Sequence, residues 1–160
     1  MFKKLFFLSF AIACLSVLNV KAQDNTDKIK DGINKVYEMF NSGDFSDIGK
    51  YIDAGYVEHT PTMGQKPGLE GFVEVMKSFK KSFPDMKFTI NDVIITNDKA
   101  AVLNTMTGTN TGEFMGMPAT NKKISVMGID WLLFNKDPKC TEHWGYIDSY
   151  SMMQQLGMNK

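Results

Sequence analysis

The sequence predicts an α+β fold, a cone-shaped, curved antiparallel sheet wrapped over N-terminal helices. Three observations predict it. Apolar residues recur at helical spacing through the first half of the chain, β-prone runs dominate from Met86 onward, and short turn signals separate those runs. Helices first and a meander of strands afterwards is the order of an α+β domain rather than of alternating βα units.

The first 22 residues read as a separate segment. Lys3 and Lys4 precede the apolar run Leu5 to Leu18, and Val20-Lys21-Ala22 puts small residues before Gln23, the pattern of an export signal. The run is too short for a comfortable membrane span, which wants about 20 apolar residues. The expectation is a chain exported to the periplasm or beyond, without a stable span. Ala11-Ile12-Ala13-Cys14 loosely resembles a lipoprotein box, the less favoured alternative, because Ala11 sits where Leu is usual and apolar residues continue past the Cys. Residues 23–160 then suit one domain and are too few for two.

The elements follow in order. Asp24 to Asp27 suit a helix N-terminus, and Ile29, Ile33, Val36 and Phe40 trace its buried stripe until Asn41-Ser42-Gly43-Asp44 breaks it. Phe45 to Tyr51 suits a short helix or turn. Tyr56 to Thr60 is β-prone and stops at Pro61. Leu69, Phe72, Val73, Met76, Phe79 and Phe83 line one face of a long helix that Pro84 ends. Strands are expected over Met86 to Thr96, Ala100 to Gly112, Lys122 to Phe134 and Lys139 to Asp148, with a turn at Asn97-Asp98-Lys99. A last helix runs from Tyr150 to Leu156.

Composition narrows function. Without its leader the chain carries 18 acids against 15 lysines and no arginine, so the bidentate fork suited to phosphate is absent and nucleic acid is not an expected partner. Cys140 alone would remain, which rules out an intrachain disulfide. No Ser-His-Asp arrangement, phosphate-binding Gly-rich loop or Cys-x-x-Cys pair is present, and His59 and His143 have no metal-ligand spacing with the scattered acids. Neither a metal nor a cofactor is expected.

The run Glu142-His143-Trp144-Gly145-Tyr146-Ile147-Asp148 sets acids and a His among aromatics. Strand alternation places Glu142, Trp144, Tyr146 and Asp148 on one face and His143 on the other. The aromatic face reads as the pocket face, and His143 as structural. A carboxylate desolvated beside Trp144 and Tyr146 would have a raised pKa, as a proton shuttle requires. The alternative for Asp148 is a cap for the last helix, since Ser149 follows it. His59, at a strand-to-loop junction, is a candidate pocket acid/base or an anchor of its own loop. Asp130 falls in step with Ile124, Val126, Leu132 and Phe134, and a charge in an apolar strand is costly unless paired or functional. Met76, Phe114 and Met117 are further candidates for the pocket lining, the last on a Gly-rich hairpin.

Four segments carry a family resemblance: Val57-Glu58-His59-Thr60-Pro61; Ser82-Phe83-Pro84-Asp85; Gly108 to Lys122; and Glu142-His143-Trp144 with Asp148 and Gln155-Leu156-Gly157. In this order and spacing the chain resembles the SnoaL-like polyketide cyclases and ester cyclases of the nuclear transport factor 2-like superfamily. The resemblance implies a cone with an apolar pocket at its wide end, a homodimer, and cofactor-free acid/base catalysis of an aldol-type cyclisation, an isomerisation or a hydrolysis on a small apolar or carbonyl-bearing ligand. It also implies that Asp148 shuttles the proton, with His59 and Glu142 assisting. Asn110 stands where relatives often carry His, Leu133 where many carry Arg, and Asn121 replaces a turn Gly. The first two departures favour the rival expectation, a non-catalytic periplasmic binding protein; a purely structural dimer module is a third.

Overall fold

The computed structural model describes residues 25–158; the expected leader, Cys14 included, lies outside them. Helix α1 covers residues 25–42 and buries Ile29, Ile33, Tyr37 and Phe40, every third or fourth residue, on the sheet. Gly43 ends it in a left-handed conformation, with φ 79°. A 3-10 turn, Ile48–Lys50, leads into β1 (Ile52–Glu58). Helix α2 (Gly68–Ser82) stops where Pro84 forbids another turn.

Strands β2 (Lys87–Thr96), β3 (Lys99–Thr109), β4 (Lys123–Phe134) and β5 (Cys140–Ile147) form an antiparallel meander, and α3 (Ser149–Leu156) closes the chain. The order across the sheet is β1-β5-β4-β3-β2. In one respect the sheet departs from an all-antiparallel expectation: β1 docks parallel to β5, placing Glu58 beside His143. β1 begins earlier than its sequence signal, because Ile52 and Tyr56 both enter the core.

The core lies between the concave face of the sheet and the helices, with Val102, Met106, Ile124, Val126 and Phe134 meeting Ile29, Tyr37, Phe40, Phe72 and Met76. Two departures from relatives find their place here. Asn110 is fully buried and fastens the loop that follows β3: its Nδ2 donates to the Gly112 carbonyl (2.8 Å) and its Oδ1 accepts from the Thr120 amide (2.8 Å). Leu133 lies opposite Glu142. Neither lines the cavity described below, so neither weakens polar recognition inside it. Asn121 takes the left-handed conformation of the turn Gly it replaces, at φ 57°.

Candidate active site

An apolar cavity of about 130 Å³ lies between α1, α2 and the sheet. α1 contributes Ile33, Tyr37 and Phe40, α2 contributes Phe72 and Met76, and the sheet contributes Tyr56, Phe88, Asp130, Leu132 and His143. Within this wall Tyr37, Tyr56, Asp130 and His143 form one connected polar group.

His143 is its centre. Nδ1 faces Glu58 Oε2 at 2.7 Å and Nε2 faces Asp130 Oδ1 at 2.9 Å. The three side chains are 15 %, 7 % and 21 % exposed in the order His143, Glu58, Asp130, so water replaces little of this bonding. A carboxylate on each ring nitrogen demands a donor from each, and only the imidazolium supplies two. Burial opposes that charge, but the bonds and charges of Asp130 and Glu58 outweigh it and raise the His143 pKa to about 9. Burial likewise opposes ionisation of Glu58, and the bonds and charge of His143, helped by Tyr56 and the Thr60 amide, bring its pKa down to about 2.

Asp130 Oδ2 accepts from the Tyr37 hydroxyl and from Asn104 Nδ2 (2.9 Å). Tyr56 donates to Glu58 Oε2 at 2.7 Å, and Glu58 Oε1 accepts from Thr60 N and Oγ1. Both tyrosine hydroxyls are held protonated, first by burial, then by the neighbouring acid: Asp130 for Tyr37 and Glu58 for Tyr56. Cys140 also lines the cavity, but burial pushes its thiol up to about 12, so it offers no thiolate near neutral pH.

The expected site residues divide between two faces. Asp130 and Met76 line the cavity. Glu142, His59 and Trp144 come together outside it: His59 Nε2 meets Glu142 Oε2 at 2.7 Å, and the His59 ring stacks on Trp144 with centroids 3.9 Å apart and planes 4° from parallel. Tyr146 is 61 % exposed and borders a second, more open pocket that Asp130 also lines. Phe114 packs edge-on against Phe79 and Phe83 at a separate groove, and half-buried Met117 bonds back to Phe114 in a tight turn.

Asp148 is the cap of α3: Oδ1 accepts from the Ser151 amide (3.0 Å) and Oδ2 from the Ser151 hydroxyl (2.6 Å). It is exposed, and these bonds lower its pKa, the reverse of the shift expected from burial. The expected pocket face is therefore corrected. Alternation along β5 does group Glu142, Trp144 and Tyr146, but that face is the outer one, and His143, read as structural, is the residue that lines the cavity.

The reason lies in packing. The inner face must admit helices, so it carries the small Gly145, directly across the ladder from Asp130, where a Cβ would meet His143 Cε1 at 2.7 Å. Bulky aromatics fit the open side. Tyr37, Tyr56 and Glu58 were missed, although strand alternation puts Tyr56 and Glu58 on one face and Tyr37 falls on the apolar stripe of α1.

The family profile of SnoaL-like polyketide cyclases matches residues 31–156. The chain belongs to this family. Among solved structures, IdmH from Streptomyces antibioticus, a candidate polyketide cyclase, is 31% identical, with a TM-score of 0.70 over 81% of this chain and 98% of its own. TsrD from Streptomyces laurentii superposes with a TM-score of 0.77 at 23% identity over 83% of this chain and 97% of its own, a likeness of fold. A candidate polyketide cyclase from Bacillus cereus is 26% identical, with a TM-score of 0.73 over 83% of each chain. No curated protein matches the chain significantly. SnoaL-like membership supports a small-molecule ligand and a cofactor-free cyclase or isomerase role. Among the described residues no helix is long and apolar enough to cross a membrane, and no cluster of His, Cys, Asp and Glu is arranged to hold a metal ion.

Proposed function

We propose that this SnoaL-like protein performs acid/base chemistry on a small carbonyl compound in the cavity, with Asp130 as the proton-transfer group and His143 as the charge that supports it. The observation that carries this reading is the His143 imidazolium clamped between Glu58 and Asp130 in an otherwise apolar wall. A carboxylate has about four acceptor sites; His143, Tyr37 and Asn104 occupy three on Asp130, leaving one for a substrate.

Asp130 takes a proton from a carbon beside a carbonyl, and the C–H electron pair moves toward the carbonyl oxygen to give an enolate. In an aldol-type cyclisation the enolate carbon attacks a second carbonyl of the same molecule, and Asp130 returns its proton to the new alkoxide. His143, positively charged nearby, offsets the negative charge that develops in a site with little water. An isomerisation uses the same first step and returns the proton to a different carbon.

The test is deuterium exchange at the acidic carbon of 1-phenylbutane-1,3-dione, a neutral diketone. Asp130→Asn is expected to slow protein-catalysed exchange by about 10², measured below the variant's melting temperature, which should fall because the His143 charge loses one partner. An unchanged rate would overturn the assignment. The second reading, a non-catalytic periplasmic small-molecule-binding protein, draws on the saturation of the His143 ring nitrogens, and it expects binding without exchange in the wild type.

Export and pairing belong to the same proposal. The leader of residues 1–22 supports release to the periplasm or beyond, with the first mature residue at Gln23. Met127, Ile129, Trp131 and Tyr146, each at least 43 % exposed on adjacent strands, make an apolar outer sheet face suited to a second copy of the chain.

A further inference from the structure

The cavity has a neighbour. A second pocket of about 150 Å³, more open to solvent, shares Asp130 with it and is lined by Phe79, Asn104, Met106, Gly128, Tyr146 and Ile147 among others. Met76, Phe88 and Asp130 line both chambers. A cavity of about 150 Å³ accepts one benzene-sized ring. Each chamber is therefore of one-ring size, and the two together approach the roughly 300 Å³ at which small-molecule sites begin.

The partition is soft. Met76 is a flexible thioether with three rotatable bonds, and with Phe88 it lines both spaces. No Lys lines either chamber, and two acids face the single His143 cation in the network. An anionic ligand would find no free counter-charge here.

We infer that the site takes an uncharged, two-lobed carbonyl compound, one lobe in each chamber and its acidic carbon at Asp130, with Met76 as the residue that sets whether the second lobe is admitted. This rests on the proposed role of the cavity and adds the shape and charge of its substrate. A single ring would leave the second chamber empty, and a rigid fused polycycle would collide with Met76 and Phe88. A flexible compound with its acidic carbon between two ring-sized groups meets the constriction with its narrowest part.

The probes are 1,3-diphenylpropane-1,3-dione, whose acidic methylene lies between two rings, and 1-phenylbutane-1,3-dione, which replaces one ring by a methyl. Calorimetric titration of the full chain gives the ratio of their affinities. The diphenyl compound should bind about tenfold more tightly, the gain expected for five further carbon atoms at ordinary ligand efficiency. Met76→Trp, which fills the constriction, should bring the ratio to about one; Met76→Ala, which opens it, should raise the ratio above the wild-type value. A wild-type ratio near one would overturn the inference, and so would a ratio that neither substitution moves. If Met76→Trp does not fold, Met76→Ala decides alone. Deuterium exchange at the diphenyl compound's methylene separates the two levels: exchange that survives Asp130→Asn, together with the expected Met76 ratios, would sink the catalytic role while leaving the two-chamber assignment standing.

Discussion

Gly145 lies directly across the β4–β5 ladder from Asp130, and a Cβ placed there would stand 2.7 Å from His143 Cε1, 3.0 Å from Nε2 and 3.3 Å from Asp130 Oδ1. The close approach of His143 to Asp130 thus depends on the absence of one side chain. It also explains why a Gly interrupts a strand otherwise rich in aromatics, where it weakens β-propensity.

Gly145→Ala is expected to displace the His143 ring and lengthen or break its bond to Asp130. A buried charge stripped of one partner costs on the order of 3 kcal/mol. Thermal or denaturant unfolding measures the loss; a variant as stable as wild type, with the same His143 titration, would contradict the packing argument.

The fold was legible in the sequence because its signals are local. Ile29, Ile33, Val36 and Phe40 repeat at helical spacing, Pro84 stops α2, and Asn97-Asp98-Lys99 turns β2 into β3, so each element can be read from its own residues. Asp130 was legible for a related reason, since a charge on an apolar strand face is anomalous wherever the strand goes. The pairing of Glu58 with His143 was not legible. It depends on β1 joining β5 in parallel across some 85 intervening residues, and no local pattern records which strand becomes a neighbour. Nor does alternation say which face is inner: the bulky Trp144 and Tyr146 suggested a pocket but occupy the outer side, while the inner side carries Gly145.

Asp148→Ala should lower the melting temperature modestly through loss of the α3 cap. Binding of 1-phenylbutane-1,3-dione should not change, because the carboxylate lies outside both chambers. A large drop in affinity or exchange with no change in melting would restore the role that the family resemblance implied for it.

Trp131→Glu should dissociate the proposed dimer, since it puts a charge in the middle of the outer face opposite Trp144. Light scattering at micromolar concentration checks this. A wild-type monomer, or a variant that still pairs, would remove the outer sheet from consideration as the interface.

Stability should fall at both ends of the pH scale. The folded pKa of His143, about 9, lies above its ordinary 6.5, so its contribution is fully present below about pH 6.5 and is lost as pH rises through 9. The folded pKa of Glu58, about 2, lies below its ordinary 4.5, so its contribution is present above about pH 4.5 and is lost as pH falls toward 2. Melting temperature against pH should therefore decline across both windows, and His143→Gln should flatten the alkaline one.

Glu58→Gln examines the network from its far side. Gln keeps the shape and an acceptor toward His143 Nδ1 but removes one of the two charges that hold the imidazolium. Burial of His143, no longer opposed by two carboxylates, should then lower its pKa from about 9 toward the ordinary value. Titration of the imidazole signals by NMR reads this directly. If Asp130 is the proton-transfer group and His143 its supporting charge, deuterium exchange in this variant should weaken as pH rises through the new His143 pKa, whereas wild type should hold its rate until near pH 9. A His143 titration that stays put would mean that Asp130 alone maintains the charge, and Glu58 would then be only an anchor for Thr60 and Tyr56.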